Sequence, residues 1–217
     1  MDKDKIDKKD HILDVAEKIF SDLGFDGAST RMISSEAGVN MAMLNYYFGS
    51  KEGLFLAVFE RKISSFQTLL QNIGNDDSKS SWDKLDTCIE NYVDRIIVNN
   101  CFQKLIHREM SISKRTDLTD KITDILMVNV NEIKKIFDEG VKNGSFNHDI
   151  DSAMITATIF GTKNYIINTP NISSLMLGHD IRDEKYLEED LKPRFKNYMK
   201  RLLRAYLLVE QHDNTTV

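Results

Sequence analysis

The chain has 217 residues, of which 41% are hydrophobic and 29% are charged, a balance that is typical of a globular protein. Its net charge of −5 excludes a protein that coats nucleic acid without sequence preference, because such binding needs an excess of Lys and Arg. The 2 cysteines are too few for a disulfide framework, and no apolar run reaches the roughly 18–20 residues of a membrane-spanning helix. The first ten residues carry no secretory signal, so we expect a cytoplasmic protein with reduced thiols.

The scarcity of helix-breaking residues favours a helical fold. The chain contains only 2 prolines and 10 glycines, and apolar residues recur at steps of three and four along most of its length. No segment shows the alternating pattern of a half-buried strand. We therefore predict an all-α fold.

The first part of the chain divides into four predicted helices. The first ends at Gly24, and the second ends before Gly38. Side chains that can cap a helix stand at the start of the last three of them: Ser29 or Thr30 for the second, Asn40 for the third and Ser50 for the fourth. The predicted spans are Ile12–Leu23, Thr30–Ala37, Met41–Phe48 and Lys51–Ile73.

Five further helices are predicted downstream, after a polar loop at Gly74–Ser81. Thr169–Arg182 is predicted to be irregular, and Pro193 falls in the first turn of the last helix or kinks it. The predicted spans are Trp82–Ile97, Phe102–Met110, Leu118–Val141, Ile150–Ile167 and Glu188–Glu210.

The two short helices before residue 50 have the spacing of a helix-turn-helix. They are joined by the tight turn Ala-Gly-Val-Asn. Leu44 and Phe48 lie four residues apart and can anchor the second helix to the core together with Ile33 and Ala37. Residues 1–60 carry 7 Lys and Arg against 11 Asp and Glu, a net charge of −4. A DNA-binding role therefore depends on local geometry and not on bulk charge.

Residues 30–54 resemble the DNA-binding domain of the tetracycline-repressor family of bacterial regulators, and the resemblance extends over about residues 9–60. The matching positions are Thr30, Ile33, Ala37-Gly38-Val39, Leu44, Tyr46-Tyr47-Phe48, Ser50-Lys51-Glu52 and Leu54.

The resemblance implies a three-helix DNA-binding domain at residues 1–50 and a helical ligand-binding and dimerisation domain at residues 51–217. It further implies a homodimer, paired through the last two long helices. Such a dimer would be a repressor that binds a double-stranded operator and is released by a small, largely apolar effector.

Candidate DNA contacts follow from the motif and from the resemblance. Asn45 can hydrogen-bond a base, and Met41, Ala42 or Met43 can contact a thymine methyl group. Asn40 and Tyr46 are further candidates for DNA contacts. The resemblance adds Arg31 as a base contact and Thr30, Tyr47 and Lys51 as phosphate contacts. Without the turn, the same helix and its tyrosine pair would equally fit ordinary core packing. Residues 41–48 contain no charged side chain. We therefore expect base specificity to depend on the shape of the DNA and on apolar contacts.

The effector pocket is assigned from residue type, since Met and aromatic side chains suit an apolar cavity, although each of them also fits core packing. The candidates are Phe102, His107, Met110, Met127, Phe137, Phe160 and Tyr165. None of the 5 histidines has metal-ligand spacing, so no metal, cofactor or enzymatic activity is expected. Two alternatives stay open: a regulator switched through Cys88 or Cys101, and a small helical enzyme.

Overall fold

The structure, a computed structural model, describes residues 2–97, 101–111 and 117–208. Within these ranges every regular element is a helix. The helices are α1 Asp2–Gly27, α2 Thr30–Glu36, α3 Met41–Phe48, α4 Lys51–Gly74, α5 Ser81–Ile96, α6 Cys101–Met110, α7 Asp117–Lys142, α8 Ser152–Asn168, α9 Pro170–Leu177, α10 Glu184–Tyr186 and α11 Lys192–Leu207. A π-helical turn, Leu187–Leu191, joins the last two. None of the described helices is long and apolar enough to cross a bilayer.

The predicted all-α fold is confirmed, and most helices lie within two residues of the predicted bounds. The helix α1 begins at Asp2, ten residues before the apolar spacing starts at Ile12. Its first turns carry mixed charge and no apolar face, so hydrophobic spacing gave no signal there. Gly24 leaves helical geometry at φ 75°, where the helix was predicted to end. One further turn follows it.

The prediction of an irregular segment at Thr169–Arg182 is wrong, because α9 lies within it. Pro170 occupies the first turn of α9, and Gly178 caps its end with a positive φ of 78°. Proline at the start and glycine at the end are ordinary helix boundaries, so the signal was present in the sequence. The last helical run begins at Glu184, earlier than predicted, and its predicted end at Glu210 lies outside the described residues.

The first of two compact units comprises residues 1–67 and 99–128. Here α1 packs along α6 and against α2, and α2 packs on α3. An aromatic cluster forms the centre of its core. Phe55 makes edge contacts with Phe20 and Phe25, at ring-centroid distances of 4.7 and 5.0 Å, and Phe59 contacts Phe102 at 5.1 Å. This core fixes the position of the helix-turn-helix.

The second unit comprises residues 68–98 and 129–217. In it α5 packs on α11, and α8 packs on α9. Its buried apolar side chains include Leu85, Ile89, Val93, Phe137, Ile155, Ile159, Phe195 and Met199. The predicted division at residues 50 and 51 refers to function and stays a prediction.

Oppositely charged side chains at four-residue spacing join α5 to α11 in the second unit. Lys196 Nζ lies 2.5 Å from Glu90 and 2.8 Å from Asp94. Lys200 Nζ lies 2.5 Å from Glu90 and 2.9 Å from Asp86. The four-residue repeat on both helices places these groups on facing surfaces, so the pairs form one network.

Candidate nucleic-acid interface

Side-chain caps define the ends of the two short helices. Ser29 Oγ accepts a hydrogen bond from Met32 N at 3.2 Å and begins α2. Asn40 Oδ1 accepts one from Met43 N at 2.7 Å and begins α3. Each cap satisfies a backbone donor that lacks a partner inside its helix. The three caps predicted from sequence are confirmed, since Ser50 Oγ also accepts from Gly53 N at 3.0 Å in the first turn of α4.

The turn between α2 and α3 depends on Gly38. Its φ is +64°, a conformation that residues with a Cβ adopt only with strain. Two backbone hydrogen bonds close the turn: Gly38 N donates to Ser35 O at 3.2 Å, and Val39 N donates to Ser34 O at 2.9 Å. The chain thereby reverses within four residues, and α3 starts at a fixed angle to α2.

Buried side chains hold the two helices on the core of the first unit. Ile33 on α2 and Leu44 on α3 are fully buried, as predicted. Phe48 is half-buried and packs at the edge of the same core. Sequence reasoning missed a polar contact between the helices, since buried Ser34 places its Oγ 3.2 Å from Met41 Sδ. The signal for this contact in the sequence was a serine on the face of α2 that otherwise carries apolar residues.

The outer face of α3 is exposed to solvent. Asn40, Ala42 and Asn45 are exposed, and Met41 is 37% exposed despite its contact with Ser34. Tyr46 is 73% exposed, far above what an aromatic packing residue shows. Its ring meets that of Tyr47 edge-on, at a centroid distance of 5.3 Å. Of the side chains of α3 predicted to read bases, Met41, Ala42 and Asn45 therefore lie at the surface.

The remaining predicted contacts lie at the border of this surface. Arg31 is exposed, and Thr30, Met43 and Tyr47 are half-buried. Lys51 is also half-buried, with its ammonium 4.5 Å from the centroid of the Phe25 ring. A cation over an aromatic face is held in position by the electrostatic attraction of the ring.

A neighbouring ion pair lowers the negative charge around Lys51. Glu52, the next residue in α4, accepts a hydrogen bond from Lys121 Nζ at 2.6 Å. This bond raises the pKa of Lys121, so the lysine stays protonated beside the carboxylate. The pair offsets a charge that would otherwise repel a phosphate at the start of α4.

Ion pairs also hold α1 against α4 in the first unit. Lys62 Nζ lies 2.8 Å from the buried carboxylate of Glu17, and Arg61 donates to Asp14 Oδ1 at 2.8 Å. Arg61 also donates to the carbonyl oxygen of Asp10 at 3.0 Å. Three acidic residues of α1, Asp10, Asp14 and Glu17, are thus paired with basic side chains from outside residues 1–60, so the net charge of −4 overstates the repulsion that DNA would meet.

The seven predicted pocket residues are divided between the two units. His107, Met110, Met127 and Tyr165 are exposed, and Phe102 lies in the aromatic core of the first unit. In the second unit, Phe137 packs near Phe146, and Phe160 contacts Tyr92 at a ring-centroid distance of 5.2 Å. Their part in effector binding stays a prediction.

A small cleft in the second unit was not predicted. The residues that line it are Ile97, Lys163, Ile166, Ile167, Leu191 and Phe195. Its one sign in the sequence was Lys163, at a position of α8 where the neighbouring residues on the same helix face are isoleucines.

The two cysteines differ in their surroundings. Burial raises the pKa of the Cys88 thiol to about 12, so the thiolate that redox chemistry requires is disfavoured. Cys101 is exposed at the start of α6. In the part of the chain that the structure describes, no three His, Cys, Asp or Glu side chains are grouped to hold a metal ion.

A short helix on a tight turn, with an apolar inner face and an open outer face, defines a helix-turn-helix DNA-binding protein. Comparison with known proteins supports this classification. The family model described as "Bacterial regulatory proteins, tetR family" matches residues 12–58, and that described as "YsiA-like protein, C-terminal region" matches residues 59–175. The chain belongs to the tetR family of bacterial transcriptional regulators, which confirms the resemblance seen in its sequence.

Two of three similar curated proteins cover most of the chain, and the third covers about a quarter of it. The fatty acid metabolism regulator protein of Bacillus subtilis is 24% identical over 169 residues, 77% of this chain and 85% of the relative. The regulator RutR of Escherichia coli is 25% identical over 189 residues, 85% of each chain. The repressor NicS of Pseudomonas putida is 48% identical over 58 residues, 27% of each chain.

Among solved structures, the regulator FadR of Bacillus subtilis in complex with stearoyl-CoA superposes with a TM-score of 0.68. The match has 21% identity and covers 89% of this chain and 96% of that one. The FadR of Bacillus halodurans superposes with a TM-score of 0.67 at 19% identity, over 88% and 97%. At this identity the likeness shows the fold alone, and it confirms the all-α architecture in which further helices follow the N-terminal helix-turn-helix.

Proposed function

We propose that this transcriptional regulator is a cytoplasmic homodimeric repressor that inserts α3 into the major groove of its operator. The observation that carries the proposal is the open outer face of α3, where Tyr46 is 73% exposed while Leu44 on the inner face is fully buried. Recognition helices of this kind read base edges from their N-terminal residues. Asn45 would hydrogen-bond a base edge, and Met41 and Ala42 would contact thymine methyl groups.

The proposed phosphate contacts lie around this helix. Lys51 stands in the first turn of α4, where unpaired backbone N–H groups also favour an anion. Thr30 has the same position in α2. Tyr47, half-buried beside Tyr46, has a hydroxyl that can reach the backbone. These contacts would fix the position of α3, and the uncharged residues of α3 would read the sequence.

The dimer is proposed to form through exposed faces of α8 and α11. On α8 the exposed residues recur at helical spacing and include Met154, Ala157, Thr158, Gly161 and Tyr165. On α11 the exposed aromatic and aliphatic residues are Tyr198, Leu202 and Tyr206. Small residues permit close helix approach, and two copies of such a helix pair can form a four-helix bundle around a two-fold axis.

The effector is proposed to be an aliphatic acyl compound. The relatives named above include a fatty acid metabolism regulator and a FadR bound to stearoyl-CoA, and the C-terminal family model covers residues 59–175. A ligand that binds better to one spacing of the two α3 helices would shift the dimer toward it. Half-sites one turn apart, roughly 34–36 Å, would then no longer be matched, and the operator would be released.

The DNA-binding surface is tested by fluorescence anisotropy with the gene's own upstream DNA, as a function of salt. Lys51→Ala is expected to weaken binding and to reduce the salt slope by about 1, because one phosphate contact is lost. Tyr46→Ala is expected to weaken binding without changing the slope. Lys104→Ala, an exposed charge on α6 in the same unit, is the control and should bind as the wild type does. Wild-type DNA affinity in both Lys51→Ala and Tyr46→Ala would refute the assignment of this surface to DNA binding.

The regulatory sense is tested in cells with a transcriptional reporter behind the same upstream DNA. Deletion of the gene should raise reporter output, and an added fatty acid should raise it only when the gene is present. Lower output after deletion would show an activator instead.

A further inference from the structure

The last turn of α1 follows an interruption at Gly24. The backbone angles there are φ 75° and ψ 176°, whereas a helix has about −63° and −42°. The peptide between Gly24 and Phe25 is therefore turned out of the helix axis. A backbone N–H that loses its place in the helical pattern needs another acceptor when it is shielded from water. This part of α1 thus depends on a partner from another element.

Two consecutive side chains of α6 hold the backbone on either side of Gly24, within the first unit. Glu109 Oε1 accepts a hydrogen bond from Phe25 N at 3.2 Å, and Arg108 Nη1 donates one to Asp22 O at 3.2 Å. Arg108 also lies against Gly24, with its Cδ 3.1 Å from the place that a Cβ would occupy there. The end of α1 is thus fixed to α6 by one acceptor, one donor and a close approach.

Glu109 is the buried member of this pair. It is only 6% exposed, whereas glutamate is almost never fully buried in proteins unless it has a partner. Phe102 and Leu105, seven and four positions earlier in α6, are also buried, so an apolar residue at position 109 would continue their stripe. A carboxylate in this stripe loses contact with water, and a hydrogen bond from a backbone N–H offsets part of that cost. The contact with Phe25 therefore gives this acid a structural role.

The residue that Glu109 holds also carries the ring beside Lys51. The Lys51 ammonium lies 4.5 Å from the centroid of the Phe25 ring. The same ring packs edge-on against Phe55 at 5.0 Å and stacks with Phe20 at 6.4 Å. Aromatic packing thus fixes the ring, and the hydrogen bond fixes the backbone from which the ring projects. The attraction between the ammonium and the ring restricts a side chain that is otherwise flexible.

We propose that Glu109 is a positioning residue for DNA binding, which acts through the backbone and ring of Phe25 to hold the Lys51 ammonium where it meets a phosphate. The inference rests on the proposed function, in which Lys51 is a phosphate contact, and it adds a residue of α6 that makes no contact with DNA of its own. A side chain that is already held in place loses less conformational freedom when it binds. Because phosphate contacts carry no sequence information, loss of the Glu109 acceptor should weaken binding to specific and non-specific DNA alike.

The test is fluorescence anisotropy of the full-length protein with its upstream DNA over a range of salt concentrations. Glu109→Leu, which removes the acceptor, is expected to weaken binding by about five- to tenfold and to lower the salt slope by up to about 1, as Lys51→Ala does. Glu109→Gln keeps an oxygen that can accept from Phe25 N, so it should bind within about twofold of the wild type. Both variants lose the same charge, and their difference therefore reports the hydrogen bond and not the net charge.

A double-mutant cycle separates positioning of Lys51 from a general loss of structure. In the Lys51→Ala background, Glu109→Leu should weaken binding by no more than about twofold, because the side chain that it positions is gone. In the Asn45→Ala background, at an exposed position of α3, Glu109→Leu should keep its full effect. A general loss of structure would act equally in both backgrounds. If Glu109→Leu does not fold in a thermal melt, Phe25→Leu takes its place, since it keeps the amide, removes the ring and should lower the salt slope in the same way.

The inference is overturned if Glu109→Leu binds DNA as the wild type does, if Glu109→Gln is weakened as much as Glu109→Leu, or if the effects of Glu109→Leu and Lys51→Ala add in full. Weak binding by Lys51→Ala together with unchanged binding by Glu109→Leu would overturn it while leaving the proposed function intact. Failure of the wild type to bind its upstream DNA would instead count against the proposed function. The two failures are thus read from different proteins in the same assay.

Discussion

The N-cap of α3 offers a perturbation that separates folding from DNA binding. Asn40 Oδ1 accepts the hydrogen bond from Met43 N at 2.7 Å, and the rest of the side chain is exposed. Asn40→Ala removes the cap. Asn40→Asp keeps an equivalent acceptor but adds a negative charge at the end of the helix that is proposed to face DNA.

The stability changes follow from the geometry. Loss of the cap costs about 1 kcal/mol, and no cavity term is added because Asn40 is exposed. For a chain of this size that corresponds to a fall in Tm of roughly 2–4 °C. A carboxylate at the N-terminus of a helix contributes about 0.3–1 kcal/mol, so Asn40→Asp should be as stable as the wild type or more so.

For Asn40→Asp the effect on DNA affinity should be the reverse of its effect on stability. In Asn40→Asp a charge next to the phosphates is expected to weaken DNA binding by at least about tenfold, or about 1.4 kcal/mol. Urea denaturation followed by circular dichroism gives the free energy of unfolding, and fluorescence anisotropy gives the affinity. Asn131→Asp, which adds the same charge at an exposed position of α7, is the control. Wild-type DNA affinity in Asn40→Asp would refute the placement of this helix end on DNA.

Three further outcomes are expected in the second unit. Gly140→Ala should destabilise the protein by roughly 1–3 kcal/mol in urea denaturation, because the added Cβ would overlap the Phe146 ring. Burial opposes ionisation of Glu90, but hydrogen bonds from two α11 lysines outweigh it and lower its pKa from 4.5. The ionised carboxylate of Glu90 therefore stabilises the fold above pH 4.5, and this stabilisation is lost as the pH falls through the lowered pKa. The difference in the free energy of unfolding between the wild type and Glu90→Gln should vanish in acid titration. Cys88 should react with iodoacetamide only in denaturant, and fast labelling of both thiols in the native protein would contradict its burial.

Elements with a strong local signal could be predicted from the sequence. The helix-turn-helix was predictable because Ser29, Asn40 and Ser50 are chemically specific caps and Gly38 is required by a positive φ. The apolar spacing of α3 also separated its inner face, at Leu44, from its outer face. Local capping and periodicity therefore defined this part of the fold without tertiary information.

Features that depend on tertiary packing could not be predicted. Whether Phe102 or Phe137 lines a pocket or fills a core depends on what other helices place against it, and both lie in cores. The cleft at Lys163 is made by residues up to 98 positions apart in sequence, from Ile97 to Phe195. Periodicity within one helix reports which face is buried but not what that face meets.

The central claim is that the outer face of α3 is the surface that meets DNA. Hydrogen–deuterium exchange of the full-length protein, with and without its upstream DNA, tests this most directly. We predict slower exchange on DNA binding in residues 30–51, centred on α3, and no comparable change in α9. Protection elsewhere, with the amides of residues 41–48 exchanging at an unchanged rate, would contradict the claim.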